Sequence, residues 1–219
     1  RASNQVMVMR TNVNSFYWLL GKAQKDCATL VYASSAAIYG GVPSPQAVGR
    51  ESPENAYAFS KYAMDQIACR YTERYSDMRL VGLRYFNVYG PRESQKGKTA
   101  SMVFQLTQQI LNGKKPRLFI GSDKIFRDFV NVADVIQANV KAACSNRNGI
   151  FNVGSGVARS FQEVADIIQG ELGVNLGTDY FSNPYDNYQE HTQADIFDTK
   201  KYLQFEPEFS LEAGIKSYI

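Results

Sequence analysis

The hydrophobic positions divide the chain into short apolar runs that alternate with stretches of helical spacing. Continuous apolar runs, each typical of a strand buried on both faces of a sheet, lie at residues 28–35, 79–88, 116–120, 126–132 and 149–153. Apolar residues at helical spacing predict helices over residues 6–20, 57–75, 99–112, 134–144 and 161–172, with two short helices in the tail. This alternation predicts an α/β fold with a mainly parallel sheet.

Composition narrows the class of protein. Hydrophobic residues make up 44% of the 219 residues and charged residues 21%, which is typical of a folded globular chain. The net charge of +3 is small and scattered, so we expect no nucleic-acid partner. No apolar run approaches the ~18 residues of a membrane span. Three cysteines without CxxC spacing and a single histidine predict no metal site and a reducing compartment.

One pair of side chains carries candidate chemistry. Tyr57 and Lys61 stand four residues apart in a predicted helix, so they share one face of it. A neighbouring ammonium favours a phenolate, and a tyrosine so placed can exchange a proton with an alcohol at neutral pH. Two ordinary helix residues would show the same spacing. However, Ser34 and Ser35 end the preceding strand and Asn87 the next one, and ligands bind at the carboxyl ends of parallel strands.

Three segments around these residues carry a family resemblance. YASSAAIYGG, PENAYAFSKYAMDQ and LRYFNVYGPRE resemble the extended short-chain dehydrogenase/reductase family of nucleotide-sugar epimerases and dehydratases. The resemblance implies a Rossmann-type doubly wound parallel sheet with a smaller C-terminal substrate-binding lobe. It implies that residues 1–94 are the remainder of the NAD(P)-binding domain. Residues 95–219 would form mainly the substrate-binding lobe, with segments around 126–153 returning to the first domain.

The resemblance also assigns individual roles. It implies that Ser35 orients the substrate hydroxyl, that Tyr57 is the acid/base group and that Lys61 holds the nicotinamide ribose. Ser34 and Val88 would lie against the cofactor, which is expected to be NADP, or else NAD, with one molecule per subunit. The glycine-rich loop that holds the pyrophosphate in this family is missing from the sequence. We therefore expect the chain to correspond to the C-terminal two-thirds of such an enzyme.

Four further segments point to one branch of the family. RYFNVYGPRESQKGKTASMV, GSDKIFRDFVNVADVIQANV, IFNVGSGVARSFQEVADII and YQEHTQAD resemble the branch that inverts C6 of an ADP-linked heptose. The resemblance implies that Lys96 is a second catalytic base. A hydride that leaves one face of C6 and returns to the other requires a proton carrier in each orientation of the sugar, which makes two bases reasonable. The alternative is an ordinary exposed loop lysine.

The same branch implies the substrate contacts. The positions that it assigns to the ADP-heptose substrate are Asn87, Lys98, Gln105, Phe119, Ile120, Gly121, Ser122, Arg127 and Tyr188. For Arg127 the chemistry agrees, because a guanidinium forks onto phosphate oxygens. An ion pair with Asp128 or Asp134 is the alternative. The resemblance further implies a homo-oligomer in the bacterial cytoplasm that serves lipopolysaccharide precursor synthesis.

Two features are predicted to be structural. Residues 152–159, NVGSGVAR, resemble a dinucleotide loop, but Arg159 takes the place of the third glycine. Ser160 and Glu163 then have the spacing of a capping box, which predicts an ordinary helix start. We also expect the lone His191 to be structural.

Other functions stay open. The chain could be another nucleotide-sugar epimerase, such as a UDP-sugar 4-epimerase, or an inactive fragment that acts only as a binding module. A dehydratase is disfavoured, because Ala36 and Ala37 follow Ser35 where an acidic residue would be expected.

Overall fold

The helices and strands alternate along the chain. A computed structural model describes residues 4–184 and 189–219. The strands are β1 Leu30–Ser35, β2 Leu80–Tyr85, β3 Asn87–Tyr89, β4 Arg117–Phe119, β5 Phe126–Asn131, β6 Gly149–Val153, β7 Ala158–Ser160 and β8 Asp179–Phe181. The α-helices are α1 Gln5–Met9, α2 Ser15–Lys25, α3 Ala56–Arg74, α4 Met102–Leu111, α5 Val132–Cys144, α6 Phe161–Glu171, α7 Phe197–Leu203 and α8 Leu211–Tyr218. A π-helical turn joins α1 to α2, and 3₁₀ turns lie at Ala36–Tyr39, Ser94–Thr99 and Ser122–Lys124.

The main sheet is parallel, with the order β1-β2-β6. Successive side chains of a strand point to opposite faces. In β2, Val81 and Leu83 pack against α5 on one face, whereas Leu80 packs with residues of α2 and α3 on the other. Helices therefore cover both faces, and the predicted α/β class is confirmed.

A second group of elements packs beside this sheet. Strands β3, β5 and β7 form one small sheet, in which β3 and β5 are parallel and β5 and β7 antiparallel. Strands β4 and β8 form another. Buried residues of α4, α6 and α8 make the hydrophobic core between them. How the chain divides between a cofactor-binding part and a substrate lobe stays a prediction.

The predicted strand over residues 79–88 is two strands. β2 pairs with β1 and β6, whereas β3 pairs with β5. The break falls at Phe86, whose N–H still donates to Val153 at 3.0 Å, while Val88 N–H turns back to the Phe86 carbonyl at 3.0 Å. The split separates the two sheets at the carboxyl end of β2, where Asn87 lies.

Residues 189–196 connect the two groups of elements. Phe126 N–H of β5 donates to the carbonyl of Glu190 at 2.7 Å. On the other side, Gln46 of the loop after β1 donates its N–H to Gln193 at 2.8 Å and accepts from Asp195 N–H at 3.0 Å. This segment therefore fixes the loop after β1 relative to β5.

Among the described residues, no helix combines the length and apolar character needed to cross a membrane.

Candidate active site

Tyr57 and Lys61 lie on the first turns of α3, beside the end of β1. The Asn55 side chain begins the helix by accepting from Ala58 N–H at 2.9 Å. The Lys61 ammonium lies 6.0 Å from the centroid of the Tyr57 ring, and it donates to the carbonyl of Ala33 in β1 at 2.8 Å. Tyr57 is 41% exposed. The two side chains therefore share one face of α3, as their spacing predicts, and Lys61 ties that face to the end of β1.

Lys61 has the donors that a cofactor ribose needs. An ammonium carries three N–H donors, and the bond to Ala33 uses one. Burial lowers the pKa of Lys61, and the nearby Asp65 carboxylate opposes that shift. The remaining donors fit the paired hydroxyls of a ribose, so the residues present are compatible with a nicotinamide cofactor at the end of β1.

The two serines that end β1 point in different directions. Ser35 Oγ accepts from Ala37 N–H at 3.2 Å and so begins the 3₁₀ turn after the strand. Ser34 is buried, and its Oγ donates to Asp65 at 3.0 Å. Ser35 is half-buried at the end of β1, whereas the side chain of Ser34 is directed under α3.

A buried ion pair supports the end of β1 from below. Asp65 and Arg84 are both fully buried, and Arg84 Nε donates to Asp65 at 2.9 Å. Asp65 also accepts from the Tyr32 hydroxyl at 3.0 Å, while Arg84 donates to the Tyr39 hydroxyl at 3.0 Å. Burial raises the pKa of Asp65, and Arg84 opposes that rise. The sequence reasoning missed this network, although an arginine inside an apolar strand was a signal for it.

A cavity of about 360 Å³ opens at the carboxyl end of β2, and Ser35, Tyr57 and Lys61 are not among its lining residues. Five of the predicted site residues line it, namely Asn87, Val88, Lys96, Gln105 and Arg127. Tyr85 of β2 pairs with Ser35 of β1, and the lining begins at the next residue, Phe86. Phe86 therefore lines the cavity one residue beyond Tyr85, the register partner of the predicted catalytic Ser35.

Lys96 lines this cavity, called the Lys96 cavity below, from the 3₁₀ turn at Ser94–Thr99. Its side chain is 52% exposed, and its Nζ lies 3.7 Å from a carboxylate oxygen of Glu93. Gly97 has a φ of +53°, a conformation that favours glycine. Lys98 is exposed on the same turn and lies outside the cavity lining.

Arg127 is buried at the wall of the cavity. Its Nη1 donates to the carbonyl of Phe126 at 2.7 Å, and its Nη2 donates to the carbonyl of Gln189. The guanidinium lies 5.5 Å from the centroid of the Phe161 ring. Segment 189–196 thus fixes the arginine in place.

The loop at 152–159 is closed by an internal carboxylate. Asp128 accepts from Ser155 N–H at 2.6 Å and from Gly156 N–H at 2.9 Å. These are backbone amides that a phosphate would otherwise use. The capping box of Ser160 and Glu163 is present at the start of α6, so the prediction of a structural helix start is confirmed.

The remaining predicted residues lie elsewhere. Phe119 ends β4, and Ile120, Gly121 and Ser122 follow it; Ile120 is 66% exposed and Ser122 is buried. Tyr188 falls outside the described residues. The ring of His191 packs 5.4 Å from that of Phe126, centroid to centroid.

Comparisons with known proteins agree with this geometry. Residues 1–154 match the NAD dependent epimerase/dehydratase family. The ADP-L-glycero-D-manno-heptose-6-epimerase of Brachyspira hyodysenteriae is 38% identical over 196 residues, which cover 86% of this chain and 61% of that protein. The chain therefore spans less than two-thirds of the length of this curated relative.

Solved structures have the same fold. The crystal structure of the Helicobacter pylori ADP-L-glycero-D-manno-heptose-6-epimerase is 45% identical with a TM-score of 0.92, covering 99% of this chain and 67% of that one. The Thermotoga maritima UDP-glucose 4-epimerase with UDP-glucose is 27% identical with a TM-score of 0.90, covering 98% and 70%. These similarities confirm the Rossmann-type class, and the chain belongs to the NAD dependent epimerase/dehydratase family.

Proposed function

We propose that the full-length protein is an NAD(P)-dependent epimerase that inverts C6 of the heptose in an ADP-linked glycero-manno-heptose. The observation that carries the proposal is the Tyr57–Lys61 pair beside the end of β1, together with the cavity lined by Lys96 at the carboxyl end of the neighbouring parallel strand β2. The names of the relatives from Brachyspira hyodysenteriae and Helicobacter pylori support the choice of substrate.

The residues at the end of β1 would handle the first proton. The Ser35 hydroxyl orients the C6 hydroxyl of the sugar, and the Tyr57 oxygen takes its proton or gives it back. Lys61 holds the ribose of the cofactor through its remaining N–H donors, and Val88 lies near it. Because the Ser34 hydroxyl is bound to Asp65, the contact proposed for Ser34 would come from its main chain. When bound, the nicotinamide cofactor, NADP rather than NAD in this proposal, would supply the reversible hydride acceptor for C6.

Lys96 would handle the second proton. Inversion requires the hydride to return to the opposite face of C6, so the sugar end takes up a second orientation. Its oxygen then lies away from the phenol of Tyr57. Lys96 lines the cavity at the carboxyl end of β2, and an ammonium there can protonate the oxygen as the hydride returns.

Residues farther along would hold the rest of the substrate. Arg127 is suited to the diphosphate, because its planar guanidinium presents several N–H donors to phosphate oxygens. The segment 119–122 would contact the adenosine end. Asn87, Lys98, Gln105 and Tyr188 would contact the sugar. We further propose that residues 1–94 form part of the cofactor domain and residues 95–219 mainly the substrate lobe, in a homo-oligomer of the bacterial cytoplasm serving lipopolysaccharide precursor synthesis.

A UDP-sugar 4-epimerase is the second candidate. The Thermotoga maritima enzyme with UDP-glucose supports it, because its fold matches at a TM-score of 0.90. In that case Tyr57 alone would carry both protons, and Lys96 would be an ordinary loop residue. Loss of all chemistry, which leaves a binding module, is the third candidate, and retention of Ser35, Tyr57 and Lys61 argues against it.

The test is interconversion of the two C6 epimers by the full-length protein, followed by NMR, with UDP-glucose as the alternative substrate. We expect turnover of the ADP-heptose only. Tyr57→Phe should lower the rate by about 10²- to 10⁴-fold, because it removes the proton-transferring oxygen. Turnover of UDP-glucose alone would favour the second candidate, and turnover of neither sugar the third.

The two proton carriers can be distinguished by mixing the protein with one epimer at a time. Absorbance of the reduced nicotinamide then reports oxidation of that epimer alone. We expect Tyr57→Phe to slow oxidation of one epimer and Lys96→Met to slow oxidation of the other. If Lys96→Met leaves both oxidations intact, the role proposed for Lys96 is wrong.

A further inference from the structure

Glu93 is a buried carboxylate in the lining of the Lys96 cavity. It is 4% exposed. Its Oε1 accepts from Gly90 N–H at 3.1 Å and from Ser101 Oγ at 2.8 Å. Its Oε2 accepts from Ser101 N–H at 2.7 Å and lies 3.7 Å from Lys96 Nζ. The carboxylate is thus held by neutral donors and also faces the ammonium of Lys96.

The start of α4 makes this buried charge acceptable. Ser101 begins the helix, since its Oγ accepts from Phe104 N–H at 3.1 Å. A helix N-terminus favours an anion, and charge-assisted hydrogen bonds offset the loss of water. Glu93 is therefore fixed at the base of the turn that carries Lys96, with both carboxylate oxygens on donors.

The contacts of Glu93 bracket that turn. Gly90 precedes the turn, and Ser101 follows it. The Glu93 carbonyl accepts from Lys96 N–H at 2.9 Å, so the main chain is tied as well. Gly90 itself fits tightly, because a Cβ at this position would lie 2.5 Å from a methyl carbon of Val132. Both ends of the turn thus depend on one residue.

We propose that Glu93 is a positioning residue for Lys96, which anchors the turn at both ends and holds the ammonium at the cavity wall. The proposal rests on the function proposed for Lys96. It extends that function to a residue that need not touch the substrate. Removal of the carboxylate charge should therefore impair the Lys96 half-reaction and spare the half-reaction that depends on Tyr57.

The first experiment compares Glu93→Gln with Ser101→Ala in the full-length protein with its cofactor. Glutamine keeps the size of the side chain and removes its charge. We expect oxidation of the Lys96-dependent epimer to slow by about tenfold, because small misplacements of a catalytic group are costly. Oxidation of the other epimer should stay within about twofold. Ser101→Ala removes one hydrogen bond to the same carboxylate but keeps its charge beside Lys96, so it should slow the Lys96-dependent oxidation less than Glu93→Gln does.

A second readout does not depend on turnover. Acylation by an amine-reactive ester, measured by peptide mass spectrometry, reports how readily each lysine of the turn reacts. Without the facing carboxylate, Lys96 should acylate about two- to fivefold faster, which is the size expected for loss of a partly exposed ion pair. Lys98, exposed on the same turn, is the internal control and should be unchanged.

The outcomes separate the two proposals. Equal slowing of both epimers by Glu93→Gln, or unchanged acylation of Lys96 relative to Lys98, would overturn the role of Glu93. If Lys96→Met spares both oxidations, the proposed function of Lys96 fails instead. If Glu93→Gln does not fold, Glu93→Asp replaces it, because aspartate shortens the side chain by one methylene and moves the carboxylate away from Lys96. Its effect is measured by the same two readouts, oxidation of each epimer and acylation of Lys96.

Discussion

Replacement of Lys61 by methionine should separate activity from stability. In the folded protein Lys61 Nζ makes a hydrogen bond to the carbonyl of Ala33 at 2.8 Å, and loss of such a bond costs about 0.5–1.5 kcal/mol. Burial lowers the pKa of Lys61, which means that its charge is partly unfavourable there, and methionine relieves that cost. The two effects oppose each other, so the free energy of unfolding at neutral pH should change by less than about 1 kcal/mol.

The pH dependence gives a sharper form of the same prediction. Because the pKa of Lys61 is lower in the folded than in the unfolded chain, the unfolded chain binds more protons between the two values. Stability of the wild type must then rise with pH across that window, which ends near the unperturbed lysine value of about 10.4. Lys61→Met lacks this rise. The wild type should therefore gain stability relative to the variant as the pH increases from neutral.

Urea unfolding followed by circular dichroism at several pH values measures both effects, and epimer turnover measures activity. We expect turnover to fall by at least about 10²-fold, since the cofactor ribose loses its anchor. A loss of more than about 2 kcal/mol at neutral pH would show that Lys61 is mainly structural. Turnover near that of the wild type would contradict its role at the cofactor.

Three further changes test other parts of the account. Arg127→Ala should weaken binding of the ADP-sugar by about 1.5–3 kcal/mol in a calorimetric titration, and unchanged affinity would exclude a contact with the diphosphate. Asp128→Ala should cost about 3 kcal/mol or more in urea unfolding, because it leaves one buried and two partly buried backbone N–H groups without their acceptor. Gly82→Ala should cost about 1–3 kcal/mol, because its Cβ would lie 2.5 Å from the Tyr32 hydroxyl; a neutral effect would mean that Tyr32 moves freely.

The sequence predicted correctly those elements whose two ends are marked by the local pattern of hydrophobic residues. The strand at 149–153 has the predicted bounds, because an isolated apolar run is also an isolated strand. The prediction of a single strand over residues 79–88 was wrong. Both halves of this run are apolar, and β2 and β3 are separate strands only because they pair with different neighbours. Strands β7 and β8 were missed, because three residues show no usable period.

The candidate site was predictable where spacing alone brings residues together. Tyr57 and Lys61 meet because residues four apart share a helix face. Asp65 and Arg84 meet only through the packing of α3 on β2; the arginine inside an apolar strand signals a buried charge, but no local pattern identifies its partner. Alternation along β1 also directs the side chain of Ser34 away from that of Ser35, so the two serines cannot present their hydroxyls to one ligand from the same face.

The most direct test of the central claim is the fate of the hydrogen at C6. The full-length protein is incubated in ordinary water with an ADP-heptose that carries deuterium at C6, and the product is examined by NMR and mass spectrometry. Transient oxidation with return of the same hydride predicts the opposite C6 epimer with its deuterium retained, and Tyr57→Phe should suppress its formation. Inverted product that has lost deuterium to the solvent would contradict the account.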